Sequence, residues 1–279
     1  MHPYVLADVF TDRPLEGNAL AVFTEGAAVP ENQLQRIARE LNLSETVFVL
    51  APEQGGHARI RIFTPTSELP FAGHPTLGTA VVLAGSSDED EIRLETGAGV
   101  VPVQIERDGQ RRPIAGRMST PVPTWAAFDR AEEVLSAVGV SESLLPVDEY
   151  LNGPRHVYVA LPDTDAVARL TPDQAALARL PGVGVSCFAG SGRHWTTRMF
   201  APSLGVAEDP ATGSAAGPLA LHLARHGWIG WGEEVTISQG ERIGRPSTLL
   251  ARVEGSAESV TKVEVAGRAV VVGRGELAY

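Results

Sequence analysis

The sequence repeats itself at roughly half its length, and no other feature constrains the fold as strongly. In the first half His57, Arg61, Phe63 and Pro65 lead into Phe71-Ala72-Gly73-His74-Pro75 and the run LGTAVVLAG. In the second half His194, Arg198, Phe200 and Pro202 lead into Glu208-Asp209-Pro210-Ala211-Thr212-Gly213-Ser214 and the run AAGPLALHLA. The frame H-x3-R-x-F-x-P recurs, the following loop is three residues longer in the second copy, and Gly73-His74 then aligns with Gly213-Ser214. Each repeat of this kind needs a partner to cover its apolar face, so the repetition predicts two similar halves with a ligand site at their junction.

Short strands and tight turns dominate the pattern. Residues 4–10 and 20–23 read as strands around a Pro14/Gly17 turn, and residues 46–50, 60–63, 156–160, 185–188 and 197–200 as further strands. Residues 263–272 alternate like a final strand. Glu31 to Leu41 places Leu34, Ile37, Ala38 and Leu41 at helical spacing behind Pro30, predicting an amphipathic outer helix. Residues 131–138 read as another helix. The segments 75–84 and 215–224 differ, because they are apolar or small almost all round, the pattern of a helix buried on every side. Each half is therefore expected to wrap strands around its own central helix. The proline-rich stretch MSTPVPTW, residues 118–125, breaks the strand pattern and fits a crossover between the halves.

The two repeated turns concentrate the chemistry. A helix N-terminus offers unpaired N–H groups and a partial positive charge, so Gly73-His74 and Gly213-Ser214 are each suited to a carboxylate. Ser214 reads either as such a ligand or as a helix cap. His74 precedes proline, which favours extended backbone and a ring that projects from a loop. Glu45 opens an apolar strand, where acids are unfavourable. It reads either as a solvated strand-end charge or as a partly buried acid/base able to take and return a proton on carbon. Asp209 poses the same choice between loop solvation and a polarising role.

Other chemistries lack their signatures. His222 and His226 stand four apart as zinc pairs do, but no glutamate follows His222 and no third ligand is evident; they are expected on the helix's wetter side, with no metal. Ser214 lacks the G-x-S-x-G elbow, and no G-x-G-x-x-G follows a strand. The lone Cys187 excludes internal disulfides and reads as a buried filler. A net charge of -11 without a basic block argues against nucleic acid, and no apolar run approaches a membrane span, so a cytoplasmic protein is expected.

The segments DVFTDRPLEGNALAVF, RIARELNLSETVFV, IRIFTPTSELPFAGHPTLGTA, NGPRHVYV, CFAGSGRHW, EDPATGSAAGPLALHLARHG and IGRPS resemble the PhzF family of phenazine-biosynthesis isomerases, within the diaminopimelate-epimerase-like superfamily. The resemblance spans essentially the whole chain. It implies an α+β fold of two pseudo-symmetric domains, each a β-sheet or barrel around a central helix. The first domain would be residues 1–118, with a final strand near 266–279 packing there, and the second 119–265. It also implies a homodimer and no cofactor or metal. The implied substrate is a small anionic cyclic one, trans-2,3-dihydro-3-hydroxyanthranilic acid, isomerised by moving a proton from C3 to C1 and tautomerising to 6-amino-5-oxocyclohex-2-ene-1-carboxylic acid. Glu45 matches the family's proton-shuttling glutamate, and His74, Asp209 and Ser214 its polar site residues. Gly73 and Gly213 match the backbone donors to the substrate carboxylate. The epimerase branch uses two cysteines where this chain has none. A single shuttling base would require exclusion of water, hence domain closure on the substrate. A PhzF-like isomerase of another cyclic or amino-acid-derived carboxylate, and a non-catalytic carboxylate-binding protein, are the alternatives.

Overall fold

A computed structural model describes residues 1–278. The chain forms two units, one of Met1–Ser119 with the strand from Ala266 onward, the other Thr120–Val265. The first unit contains β1 (His2–Val9), β2 (Asn18–Phe23), α1 (Leu34–Leu41), β3 (Glu45–Leu50), β4 (Ala58–Phe63), β5 (Glu68–Leu69), α2 (Gly73–Ala84), β6 (Glu91–Thr96), β7 (Gly99–Arg107) and β8 (Pro113–Thr120). Strand β2 pairs antiparallel with β1 and parallel with β3, β4 runs antiparallel to β3, and β6 lies parallel to β4 before the β6–β7–β8 meander.

Two layers sandwich these strands. On the outer face Phe23 stacks on Phe48 and Phe63 meets Phe48 edge-on, with ring centroids 4.9 and 5.6 Å apart, and α1 covers them with Leu34, Ile37 and Ala38. The other face wraps α2, whose residues from Gly73 to Val81 are all buried. Strands β2 and β3, covered on both faces, read as nearly continuous apolar runs, whereas β7 alternates buried and exposed residues. Gly78 permits the close approach, since a Cβ there would lie 2.6 Å from Val9 Cγ2 and 2.7 Å from Leu20 Cδ2. The expected outer helix begins with a 3-10 turn over Glu31–Gln33, so its α-helical part is shorter than the pattern predicts.

The second unit contains β9 (Thr124–Ala127), α3 (Ala131–Val138), β10 (Asp148–Leu151), β11 (Arg155–Ala160), α4 (Thr164–Arg169), α5 (Gln174–Ala178), β12 (Val183–Ser191), β13 (His194–Ala201), β14 (Val206–Asp209), α6 (Gly213–Arg225), β15 (Glu234–Gln239) and β16 (Ser247–Gly255). Its pairing repeats that of the first unit. Strand β11 is parallel to β12, β12 antiparallel to β13, β14 folds back on β13, β15 is parallel to β13, and β16 antiparallel to β15. Helices α3, α4 and α5 cover one face through Val134, Val167 and Leu177, and α6 is buried from Gly213 to Ala224. The proline interruption is confined to residues 121–123, because β8 runs through Thr120 and β9 resumes at Thr124.

The last strand, β17 (Val260–Leu277), pairs with β1 with a bulge between Leu6 and Ala7, and also with β8. The strands β1, β2, β3, β4, β6, β7, β8 and β17 thereby close into a barrel. The fold is α+β, strands wrapped around a central helix, as the two uniformly apolar segments imply.

The repeated H-x3-R-x-F-x-P frame is a structural clamp. Arg61 Nε and Nη2 each donate to Glu68 at 2.7 Å, and its guanidinium lies 5.1 Å from the Phe63 ring centroid. Arg198 donates to Glu208 at 2.9 and 2.7 Å and lies 5.0 Å from the Phe200 ring. In each copy an arginine on a strand fixes a glutamate on the short return strand that leads toward the central helix. The first histidine of the frame, His57 or His194, is exposed in both copies. Among the described residues no helix is long and apolar enough to cross a membrane.

Candidate active site

In the first unit Glu45 opens β3, in register with Leu20 of β2, and its side chain is 15% exposed. This places it beside the first turn of α2, where His74 Nδ1 lies 3.0 Å from Glu45 Oε2. Asn18 Nδ2, at the start of β2, is 3.4 Å from the same nitrogen. Helix α2 begins at Gly73, two residues earlier than the sequence predicts, so His74 sits within the helix and is buried, not on a projecting loop. The first turn tolerates Pro75, whose missing N–H would have no intrahelical acceptor there. Burial pulls the His74 imidazole down to about 3. The contact therefore brings a neutral ring and a carboxyl group to 3.0 Å of one another.

No side chain caps α2 at Ala72, so the N–H groups of Gly73 and His74 remain as first-turn donors.

The second unit builds the corresponding helix start from different residues. Asp209 ends β14 and is buried, not solvated in a loop; Thr212 Oγ1 donates to its Oδ2 at 2.5 Å. Gln239, at the end of β15, ties this loop down. Its Nε2 donates to the Asp209 carbonyl at 2.8 Å and to Thr212 Oγ1 at 3.0 Å, while its Oε1 accepts from Thr212 N at 3.3 Å. Ser214 is the second residue of α6, so it is not the cap; Thr212 holds that position without a side-chain cap bond. The Ser214 hydroxyl instead lies 3.0 Å from His156 Nε2. Burial pulls His156 down to about 4.

The residues singled out in the sequence thus fall into two local sets, Glu45 with Gly73 and His74, and Asp209 with Gly213 and Ser214. Asn18, His156 and Gln239 complete them and carry no spacing signal of their own. His156 lies in the NGPRHV segment, which could have directed attention to it. His222 departs from expectation, being fully buried among Tyr150, Tyr158 and Phe188 instead of facing water. The structure also brings Asp148 to His222 and His226, a third possible metal ligand that sequence spacing could not reveal. That carboxylate already meets a cation: Arg225 Nη1 lies 3.0 Å from Asp148 Oδ2, and Tyr150 OH occupies His222 Nδ1 at 3.0 Å. Cys187 is buried, and burial pushes its thiol up to about 12, which removes it as a nucleophile.

Comparison with known proteins covers the whole chain. A family model described as phenazine biosynthesis-like protein, PhzC-PhzF, matches residues 7–275. A trans-2,3-dihydro-3-hydroxyanthranilate isomerase of Pseudomonas fluorescens is 53% identical over 277 residues, covering 99% of both chains. The Pseudomonas aeruginosa protein of the same name is 52% identical over 276 residues, again covering 99% of each. Among solved structures, a Bacillus anthracis phenazine biosynthesis protein of the PhzF family superposes with a TM-score of 0.87 at 25% identity, covering 100% of this chain and 99% of that one. End-to-end matching in sequence, and in a fold that repeats one strand-and-helix unit twice, places this chain in the PhzC-PhzF family of phenazine biosynthesis-like proteins.

Proposed function

We propose that this chain isomerises trans-2,3-dihydro-3-hydroxyanthranilate, with Glu45 as the single acid/base. The carrying observation is the 3.0 Å contact between Glu45 and a neutral, buried His74 at an uncapped helix start, in a chain 53% identical over its length to an enzyme named for that reaction. In each unit the helix start is suited to a carboxylate, through the N–H of Gly73 in one and the N–H of Gly213 with the Ser214 hydroxyl in the other, as helix N-termini favour anions. Asp209 and His74 hold the amine and hydroxyl region.

Glu45 removes the proton from C3, and the electron pair of that C–H bond moves into the conjugated system toward C1. Glu45 then returns the proton to C1, leaving an enol at C3 that tautomerises to the ketone. Atoms and electrons balance within the substrate. The neutral His74 imidazole places no charge beside Glu45, so it does not pin the carboxyl group in its ionised form and leaves it able to take up a proton and return it. The protein acts as a homodimer in this reading, which light scattering on the purified chain checks.

Carbon NMR of the purified protein mixed with the substrate tests the activity. The expected product gains a proton at C1 and a carbonyl at C3. Unchanged substrate beside folded protein would overturn this substrate and point to another small cyclic carboxylate.

A further inference from the structure

Ser214 is held from three directions, and each contact has a definite source in the sequence. Pro218 lies inside α6 and has no N–H for the carbonyl four residues before it, which is that of Ser214. Asn152 Nδ2 takes this carbonyl at 3.2 Å. Tyr158 OH donates to the next carbonyl, Ala215, at 2.7 Å. His156 Nε2 reaches the Ser214 hydroxyl at 3.0 Å. Asn152, His156 and Tyr158 stand on or just before β11, so one short stretch of chain fixes both the backbone and the side chain of Ser214.

The His156 ring is 1% exposed, and its Nδ1 is buried with no hydrogen-bond partner among the described residues. Gly184, its register partner on β12, leaves the space for that edge: a Cβ there would lie 3.2 Å from Nδ1 and 2.9 Å from Met199 Cε. Of the two neutral tautomers, one buries an N–H with no acceptor, and the other buries only a lone pair. Orphaned buried N–H groups are the rarer of the two in folded proteins, which selects the form protonated at Nε2.

We infer that His156 is a positioning residue that donates its Nε2–H to Ser214 Oγ and so commits the serine's own hydrogen to an incoming carboxylate. The inference rests on the proposed carboxylate-binding role of Ser214. A dyad in which His156 withdraws the serine proton has the opposite polarity, and His156 has no carboxylate partner at Nδ1 to support it.

Three measurements test this together. Nitrogen-15 NMR of the histidine rings in the wild-type protein should show His156 protonated at Nε2 and bare at Nδ1; the reverse tautomer would overturn the inference whether or not the substrate is right. With trans-2,3-dihydro-3-hydroxyanthranilate, His156→Leu should raise KM on the order of tenfold or more with kcat nearly unchanged, and His156→Gln, which keeps a donor, should recover most of the loss. Wild-type KM in His156→Leu, or equal losses in both variants, would overturn it. The double variant His156→Leu/Ser214→Ala should bind no worse than Ser214→Ala alone, since His156 acts through the hydroxyl; additive losses would contradict that. Absence of wild-type turnover counts against the proposed substrate, and the ring measurement then decides the tautomer.

Discussion

A carboxyl group and a neutral imidazole 3.0 Å apart are the central residue-scale feature of this protein. Glu45, His74, Asp209 and Ser214 stand out in the sequence as candidates, Glu45 as an acid opening an apolar strand and the others at the two repeated turns, and the family resemblance points to all four. Asn18, His156 and Gln239 do not stand out, because each reaches its partner across strand pairings that spacing does not encode. Gln239 shows the consequence. It satisfies three buried groups of the Asp209–Thr212 loop with one side chain, so Gln239→Leu should cost about 1–3 kcal/mol and lower kcat/KM by displacing Asp209. Denaturant titration and steady-state kinetics check both effects, and unchanged stability would show that the loop holds itself.

At the scale of elements, the repeat was legible, but its meaning was only partly so. The central helices are predicted from uniformly apolar segments, but both begin two residues earlier than those segments, the first because His74-Pro75 reads as extended backbone. The repeated arginines mark the two halves in the sequence and clamp the return strands in the fold. Their environments differ. Arg198 and Glu208 side chains are each 11% exposed, and Arg198 Nη1 also donates to Leu170 O at 2.8 Å just past the end of α4. Arg61 and Glu68 are 24% and 41% exposed. Removing one partner of a buried pair costs about 3–5 kcal/mol, whereas an exposed pair contributes about 1 or less. Arg198→Met should therefore lower the melting temperature far more than Arg61→Met, and equal effects would contradict the asymmetry.

At the scale of the whole molecule, buried neutral histidines tie stability to pH. Burial holds His74 and His222 at about 3 and His156 at about 4, below the unfolded value near 6.5. Between those values the unfolded chain binds more protons than the folded one, so this contribution is complete above about pH 7 and is lost as pH falls toward 4. The melting temperature should fall across that window, and less steeply in His222→Gln; a flat profile in the wild type would contradict it. None of this was visible in the sequence, where His222 read as a wet helix residue, because burial depends on the aromatic side chains that β10, β11 and β12 bring around it.

The single-base assignment is the central claim, and isotope transfer tests it most directly. Substrate carrying deuterium at C3 is turned over in ordinary water by wild-type protein and by Glu45→Gln. The account predicts deuterium retained at C1 of the wild-type product and a rate loss of roughly a thousandfold in Glu45→Gln, whose melting temperature stays near wild type. Near-normal turnover in Glu45→Gln would contradict it.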